Sequence, residues 1–253
     1  MLGILAAIFG LATTTVAAQD QLVPGKNVNM VGGPAVLTLN PFQLEGDPNL
    51  QRQNEITLDC STRNPLPGTG ESAGDAWLGF YWTTDGGARW RSFLHPGHPR
   101  DPNPTHPLKP YQAAADATVR CTTNGLCYMS GIAFIRGNNQ PSAVFVTTVI
   151  DNNNTENGFP FANLGTTVVA TSNSKFLDKT WIEVDRPRPG AQVMNIAAQN
   201  GVPAQSFPVG VVYLAWTEFV GNDNNVRTKM MVARSLNGGI SFEQPVKVSE
   251  GYP

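Results

Sequence analysis

The sequence is poor in charged residues, histidine and cysteine, and these shortages exclude several classes of protein. Lysine and arginine total 17 against 19 acidic residues, so the chain offers no basic surface for nucleic acid or anionic membranes. The three cysteines and three histidines match no zinc-finger spacing. After residue 18 no apolar run is long enough to cross a bilayer. We therefore expect no nucleic-acid partner, no resident metal and no membrane span in the mature chain.

Turn-forming residues are abundant by contrast. Glycine and proline number 25 and 20, and with many Asn and Thr residues they favour short strands joined by turns over long helices. A chain of 253 residues can also bury a substantial core. These features predict an all-β fold.

The chain begins with MLGILAAIFGLATTTVAA, an apolar stretch that ends in Val16-Ala17-Ala18. Small residues at that place are typical of a signal-peptidase site. Residues 1–18 are therefore predicted to be a signal peptide, followed by an N-terminal segment over 19–54 and an extracellular or periplasmic mature protein. A buried helix and a membrane anchor are the alternatives, because no Lys or Arg precedes the apolar run.

Two of the three cysteines flank a turn. Cys121 and Cys127 enclose TTNGL, whose Asn124-Gly125 is a strong hairpin signal. The two residues can face each other across adjacent strands and form a disulfide, which leaves Cys60 over. Three buried thiols are the alternative.

A repeat runs along the chain. An acid-x-Thr triplet opens at Glu55, Asp116 and Asp178, with spacings of 61 and 62 residues. Each triplet starts a short apolar strand, and a longer apolar and aromatic strand follows it. The repeating unit is predicted to be a β-meander of three or four strands.

A second motif occurs twice. TTDGGARW begins at Thr83, and SLNGGISF begins at Ser235 after another apolar strand. The hydroxyl and the Asp85 or Asn237 oxygen can accept backbone N–H bonds, and the glycine can adopt positive φ. The terminal aromatic residue can then fold back over the hairpin. The residues assigned to this structural role are Thr83, Asp85, Gly87, Trp90, Ser235, Asn237, Gly239 and Phe242.

This Ser/Thr-x-Asp-x-Gly-x-x-Trp/Phe pattern resembles the Asp box of the bacterial-neuraminidase repeat. Wider stretches, among them GDAWLGFYWTTDGGARWRSFLHPGHPRD and VVYLAWTEF, are similar to secreted sialidase-like proteins. The resemblance implies a β-propeller of the sialidase type, in which residues 55–253 supply about three to four of six blades. Such an arc is an incomplete gene product, a ring closed by a partner chain, or an open assembly with exposed strand edges.

The resemblance also implies an exo-α-sialidase-like glycoside hydrolase that acts on sialylated or related glycans. Family members clamp the sugar carboxylate with three arginines and use a Tyr nucleophile beside a Glu, with an Asp as acid/base. This sequence lacks the Arg-Ile-Pro motif of the first clamp arginine, and no Tyr-Glu pair is marked. A non-catalytic propeller that binds glycan or protein at the cell surface is the alternative function.

If each acid-x-Thr opens the innermost strand of a blade, Asp116 and Asp178 lie near the axis with Arg120 close by. These three residues are the catalytic candidates, and the alternative is that the acids bond to backbone groups at blade junctions. Further clamp candidates are Arg136, Arg186 and Arg188, although RPRPG is typical of an exposed loop.

Two polar or aromatic patterns complete the prediction. Asp151, Asn153 and Thr155 alternate as oxygen ligands do in calcium loops, but Glu156 stands where Gly is usual, so a polar turn is the alternative. Asn153 also starts a glycosylation sequon. Most of the strand aromatics are expected in the core; they are Trp77, Trp82, Trp181, Trp216, Tyr81, Tyr128 and Tyr213.

Overall fold

The computed structural model describes residues 36–37, 44–45, 53–58, 68–72, 77–83, 88–137, 140–151, 161–198, 203–221 and 225–250. The predicted signal peptide over 1–18, Cys60 and Tyr252 lie outside these residues. No helix long and apolar enough to cross a membrane occurs in the described part of the chain.

The fold is all-β, as the sequence predicted. The strands among the described residues are β1 (Val36–Leu37), β2 (Leu44–Glu45), β3 (Gln53–Leu58), β4 (Gly68–Ser72), β5 (Leu78–Trp82), β6 (Arg91–Leu94), β7 (Ala113–Cys121), β8 (Leu126–Phe134), β9 (Ser142–Asp151), β10 (Phe161–Ser172), β11 (Phe176–Val184), β12 (Val193–Ile196), β13 (Gln205–Pro208), β14 (Val212–Val220), β15 (Arg227–Ser235) and β16 (Val246–Lys247).

These strands form three antiparallel sheets and one small hairpin. The first sheet has the order β1-β2-β6-β5-β4-β3, the second β10-β9-β8-β7, and the third β11-β14-β15-β16. The hairpin of β12 and β13 lies in the connection between the first two strands of the third sheet. The second and third sheets have four strands each, in agreement with the predicted meander of three or four strands.

The second sheet is packed on both faces. On one face Val119 and Met129 contact Phe80 and Trp82 of the first sheet. On the other face Tyr128, Val146 and their neighbours form the largest apolar cluster with Ile182, Leu214 and Trp216 of the third sheet. The three sheets therefore stack in chain order, and burial of these faces is the main source of stability.

One edge strand of each sheet, β3, β7 or β11, carries a β-bulge at its acid-x-Thr triplet. Pairing skips between Asn54 and Thr57, between Ala115 and Thr118, and between Asp178 and Trp181. Because β7 contacts both β3 and β11, the three bulged edge strands lie side by side. The repeat in the sequence thus corresponds to a repeated irregularity of the backbone.

The aromatic core differs from the prediction at two positions. Trp77, Trp82, Trp216, Tyr81 and Tyr128 are buried. Trp181 and Tyr213, however, are 59 % and 38 % exposed, because both point away from the second sheet. The alternation of side chains along a strand shows which residues share a face of the sheet, but it does not show which face another sheet will cover.

Candidate functional site

The bulges bring two acid-x-Thr triplets into contact. Asp116 and Lys179 are the two described non-glycine residues with positive φ, at 57° and 49°. This left-handed conformation costs about 1 kcal/mol or more for a residue with a Cβ, and it is concentrated at functional sites. The strain lies where the edges of the second and third sheets meet.

Asp116 is held by backbone and side-chain groups of the third sheet. Its carboxylate accepts the Lys179 backbone N–H at 2.9 Å and the Lys179 Nζ at 3.1 Å. The Thr180 hydroxyl donates to the Asp116 carbonyl oxygen at 2.9 Å. The Asp116 side chain is 10 % exposed, whereas that of Lys179 is 61 % exposed. The alternative reading of these acids, as backbone-bonded groups at a sheet junction, therefore describes one part of the arrangement.

The second acid of the site is Asp178, which interacts with Asp116. Burial, a hydrogen bond with the Asp116 carboxyl group and the charge of Asp116 together raise the pKa of Asp178 to about 6. Two carboxyl groups can form that bond when they share a proton, as in carboxylate dyads. The site can therefore hold and release one proton near neutral pH.

A chain of hydroxyl groups lies beneath the acid pair. Thr180 donates to the Asp116 carbonyl oxygen, so it accepts from Ser130 at 3.3 Å. Ser130 in turn accepts from Thr118 at 2.6 Å. The threonines of both triplets thus tie the two edge strands together and fix the position of Asp116.

Arg120 does not contact the acids through its guanidinium group. The guanidinium carbon lies 5.2 Å from the centre of the exposed Trp181 ring. Its Nε donates to the Glu183 carboxylate at 3.3 Å. The third catalytic candidate therefore belongs to an exposed Arg-Trp-Glu group further along β11, in which the cation lies over the aromatic face.

The other predicted clamp arginines lie elsewhere. Arg136 is 5.9 Å from the Phe134 ring, and Arg188 pairs with Asp185 at 2.9 Å. Arg186 is exposed in the same loop.

The tyrosines differ in access. Tyr128 is fully buried, and burial raises the pKa of its hydroxyl group. Tyr213 is exposed and lies opposite Glu183 in the register of β11 and β14. The sequence did not mark this cross-strand Tyr-Glu neighbourhood, because the two residues are 30 positions apart and only strand pairing joins them.

The second Asp-box hairpin has the predicted hydrogen bonds. Ser235 Oγ accepts the Gly239 N–H at 2.9 Å, and Asn237 Oδ1 accepts the Ser241 N–H at 3.0 Å. Gly239 has φ of 86°, and Phe242 packs against the main cluster. In the first hairpin Thr83 is buried and Trp90 is half-buried, while Asp85 and Gly87 lie outside the described residues.

The same hairpin also joins two sheets. Thr167 of β10 donates its hydroxyl to the Gly239 and Ile240 carbonyl oxygens at 3.0 and 3.2 Å. A Cβ on Gly239 would lie 2.7 Å from Thr148 Oγ1. The hairpin is therefore a stabilising contact between the third and second sheets rather than a part of the acid site.

Cys121 and Cys127 are directly opposite each other at the end of β7 and β8, with Cα atoms 4.0 Å apart, and they form a disulfide. Gly125 in the intervening turn has φ of 90°. The hairpin predicted from Asn124-Gly125 is present, and the disulfide closes it.

The histidine loop is more structured than the sequence suggested. His95 is buried against the second sheet, and burial lowers its pKa to about 3. Its Nδ1 lies 2.8 Å from the Pro96 carbonyl oxygen, so Nδ1 carries the proton of the neutral ring. Nε2 then accepts from the Thr147 hydroxyl at 2.8 Å.

The bond from Thr147 continues to a second histidine. Thr166 lies 2.7 Å from Thr147 and 3.4 Å from His106 Nε2. His106 Nδ1 accepts the Leu108 N–H at 3.2 Å, so the proton of this ring is on Nε2. The hydrogen bonds of this chain therefore all run in one direction: His106 donates to Thr166, Thr166 to Thr147, and Thr147 to His95. Each ring must be neutral, because each uses one of its nitrogens as an acceptor.

Metal ligands are the last candidates. The described residues contain no group of three or more His, Cys, Asp or Glu side chains that could hold a metal ion. Asp151 is the last residue of β9, and Asn153 and Thr155 lie outside the described residues. The calcium loop therefore remains a prediction.

No protein-family model, curated protein or solved structure matches this chain.

Proposed function

We propose that the chain belongs to a secreted sialidase-like β-propeller and acts as a glycoside hydrolase on sialylated or related glycans. The observation that carries this proposal is the Asp116–Asp178 pair, in which burial and the neighbouring Asp116 raise the pKa of Asp178 to about 6 where two repeat units meet. The stacked sheets with adjacent bulged edges support the propeller arrangement.

Asp178 is the general acid in this mechanism. A carboxyl group with a pKa near 6 can donate to the leaving glycosidic oxygen at physiological pH. Asp116 stays beside it as an anion held by Lys179, and it stabilises the positive charge that develops on the sugar ring. Because the two carboxyl groups lie together, they act as one acid rather than as the separated acid and nucleophile of two-carboxylate glycosidases. A water molecule attacks the anomeric carbon as the bond to the leaving oxygen breaks, and the proton that the water loses returns to the acid pair.

The exposed group beside the pair supports sugar binding. Trp181 offers an open ring face on which a pyranose can stack. Arg120 and Lys179 supply positive charge for an anionic substituent such as a carboxylate. Both features lie on the inner edges of the second and third sheets.

A non-catalytic glycan-binding protein is the second candidate function. It is favoured by the tyrosine positions, because Tyr128 is buried and Tyr213 lies opposite Glu183 in the strand register. A site that binds through Trp181 and Arg120 needs no nucleophile.

Export is part of the proposal. The apolar start of the chain and the Cys121–Cys127 disulfide both fit an oxidising compartment. Expression of the full chain with its own first residues should release a protein that starts at Gln19, as measured by intact mass. Retention of residues 1–18 on the secreted or cell-bound protein would contradict the signal peptide.

The decisive experiment measures release of a fluorescent aglycone from an α-linked sialic acid by the folded chain. Asp178→Asn should lower the rate by roughly 10²–10⁴-fold, the usual contribution of a general acid. Asp116→Asn should also lower it, whereas Asp185→Asn is a matched control, because Asp185 pairs with Arg188 in an exposed loop.

Binding of a sialylated trisaccharide, measured by calorimetry, separates the two functions. Binding that Trp181→Ala abolishes, without aglycone release, would assign the non-catalytic function. A folded chain that neither releases the aglycone nor binds the trisaccharide would overturn both proposals.

A further inference from the structure

The histidine loop, residues 95–112 between β6 and β7, has an internal framework of its own. The Asp101 carboxylate accepts the Gly97 and Asn103 N–H groups at 2.5 and 2.8 Å. The Lys109 ammonium donates to the Asp101 carbonyl oxygen. Because Asp101 is buried, water competes little for these bonds. None of them involves a histidine ring, so the loop can keep its shape when the histidines become protonated.

Two histidine rings attach this loop to the second sheet. His95 Nε2 accepts from Thr147 of β9, and His106 Nε2 donates to Thr166 of β10. His106 Nδ1 already accepts the Leu108 N–H at 3.2 Å, so a second proton on this ring would meet another donor. A second proton on His95 would lie on Nε2, which faces the donating Thr147 hydroxyl. Protonation of either ring therefore opposes the contacts that hold the loop on the sheet.

The surroundings of the two rings also disfavour positive charge. His95 is buried, and its ring centre lies 5.3 Å from that of Phe145 in β9. The second sheet presents this aromatic ring and the two threonine hydroxyls, which carry no charge. Burial lowers the pKa of His95 to about 3 and lowers the pKa of His106 as well. Charged and titratable groups that act on the rings come from the loop itself: His98, Arg100, Asp101 and Lys109. Of these, Asp101 favours the protonated rings and the others oppose them.

The same loop joins the first sheet to the second. Trp77 Nε1 donates to the His95 carbonyl oxygen at 2.7 Å, and the His95 N–H donates to the Leu78 carbonyl oxygen at 2.8 Å. Leu108 is fully buried in one apolar cluster with Trp77 and Leu78 on one side and Phe145 on the other. Displacement of the loop from the second sheet would uncover part of this cluster and weaken the packing between the two sheets.

We propose that the histidine loop is a pH-sensitive switch, which detaches from β9 and β10 as a unit when His95 and His106 become protonated, while the sheets stay folded. The detached loop binds more protons than the attached loop, because burial disfavours the charged rings only in the attached form. The detached fraction therefore rises as the pH falls below about 6.5, the ordinary pKa of histidine, and falls again when the pH is raised.

Hydrogen exchange resolved by residue, and corrected for the intrinsic rate at each pH, tests the switch. The reporters are the Leu108 amide, which bonds to the His106 ring, and the Gln112 amide, which donates to a β8 carbonyl oxygen. Their protection should fall about tenfold for each pH unit between pH 6.5 and 5. The Gly97 and Asn103 amides, bonded to Asp101 inside the loop, should lose less protection.

Three results from the wild-type chain would overturn the switch. Unchanged protection at Leu108 would show that acid leaves the loop attached. An equal loss in the amides of β14 would show that the whole chain unfolds, and an equal loss at Gly97 would show that the loop melts instead of detaching as a unit. These outcomes need no variant, so the proposal stays open to contradiction even if a substituted chain fails to fold.

Substitutions then assign the effect to the rings. His95→Gln combined with His106→Gln should reduce the pH dependence at Leu108 to the smaller share of His98, because neither amide titrates. Asp178→Asn is the matched control, since it removes a group with a pKa of about 6 at another place in the fold and should leave the loop unchanged. A double variant with the wild-type pH dependence would overturn the role of the two rings. None of these readouts depends on aglycone release, so the switch and the glycosidase proposal fail separately.

Discussion

The Asp178 side chain lies beside that of Asp116 and its pKa is raised by it, although 62 residues separate the two acids in the chain. Equivalent bulges in β7 and β11 create this contact. Because ionisation of both acids at such short distance is unfavourable, the pair stores electrostatic strain above the pKa of Asp178. A residue pair that weakens the folded state at neutral pH fits a functional role better than a purely structural one.

Asp178→Asn should stabilise the protein at high pH. The folded pKa of about 6 exceeds the ordinary value of 3.8, so the folded state binds more protons than the unfolded state between these values. Stability is therefore lost as pH rises through that range, and the neutral amide removes the loss. Urea denaturation should show a higher free energy of unfolding for the variant at pH 8 and little gain at pH 4. A variant that is less stable than wild type at pH 8 would contradict the shared proton.

Acid should destabilise the fold through the histidine loop. Burial lowers the pKa of His95 to about 3 from 6.5, and burial lowers the pKa of His98 and His106 as well. The unfolded chain binds more protons in this range, so stability is complete above pH 6.5 and falls as pH decreases towards 3. The contribution of His95 to the slope should approach about 1.4 kcal/mol per pH unit, and His98 and His106 act in the same direction.

His95→Gln removes one titrating group, so the free energy of unfolding should depend less steeply on pH in the variant. The glutamine amide still offers one donor and one acceptor in place of the two ring nitrogens. Charged groups near these rings are Asp101, Lys109 and Arg100. The check is the free energy of unfolding between pH 4 and 7 for both proteins. Equal slopes for variant and wild type would show that His95 titrates normally.

Gly239→Ala should destabilise the Asp-box hairpin. Gly239 has φ of 86°, and an added Cβ would meet Thr148 Oγ1 at 2.7 Å. Gly190→Ala is the matched control, because Gly190 has φ of 84° with nothing within 4 Å of an added Cβ. Backbone strain alone should cost about 1 kcal/mol, and Gly239→Ala should cost more. If the two variants lost the same stability in thermal denaturation, the contact between Gly239 and Thr148 would make no steric contribution.

Reduction of the Cys121–Cys127 disulfide should lower stability modestly. The bond closes a short loop, with six residues of sequence separation, for which chain entropy gives about 2 kcal/mol. Denaturation with and without a reducing agent measures this loss. The double variant Cys121→Ala and Cys127→Ala should not respond to the reducing agent, and a response from it would assign the effect to another part of the chain.

Local signals in the sequence were sufficient for the secondary structure. Alternating apolar residues predicted strands, Asn124-Gly125 predicted a hairpin, and the spaced acid-x-Thr triplets predicted repeated four-stranded meanders. The Asp-box pattern predicted the hydrogen bonds of Ser235 and Asn237. The hairpin and the Asp-box turn each depend on residues within a few positions of one another, so the local sequence specifies them.

Three outcomes depended on the tertiary structure. Trp181 and Tyr213 follow the same alternation as buried aromatics, but they are exposed because no described sheet covers their face. Arg120 lies near the acids in sequence, yet its guanidinium group turns to Trp181 and Glu183. The histidine chain joins a loop to two strands through Thr147 and Thr166. Sequence spacing did not show these three outcomes, because each depends on contacts made across strands or between sheets.

The amino-acid sequence by itself therefore determined an all-β chain of repeated meanders with a stapled hairpin and an Asp-box turn. Only the tertiary structure decided that Asp116 and Asp178 lie together with a raised pKa at Asp178, and that one face of the third sheet is exposed among the described residues. The physical reason is that pKa values and burial depend on desolvation and on neighbouring charges, which are set by which sheets pack together.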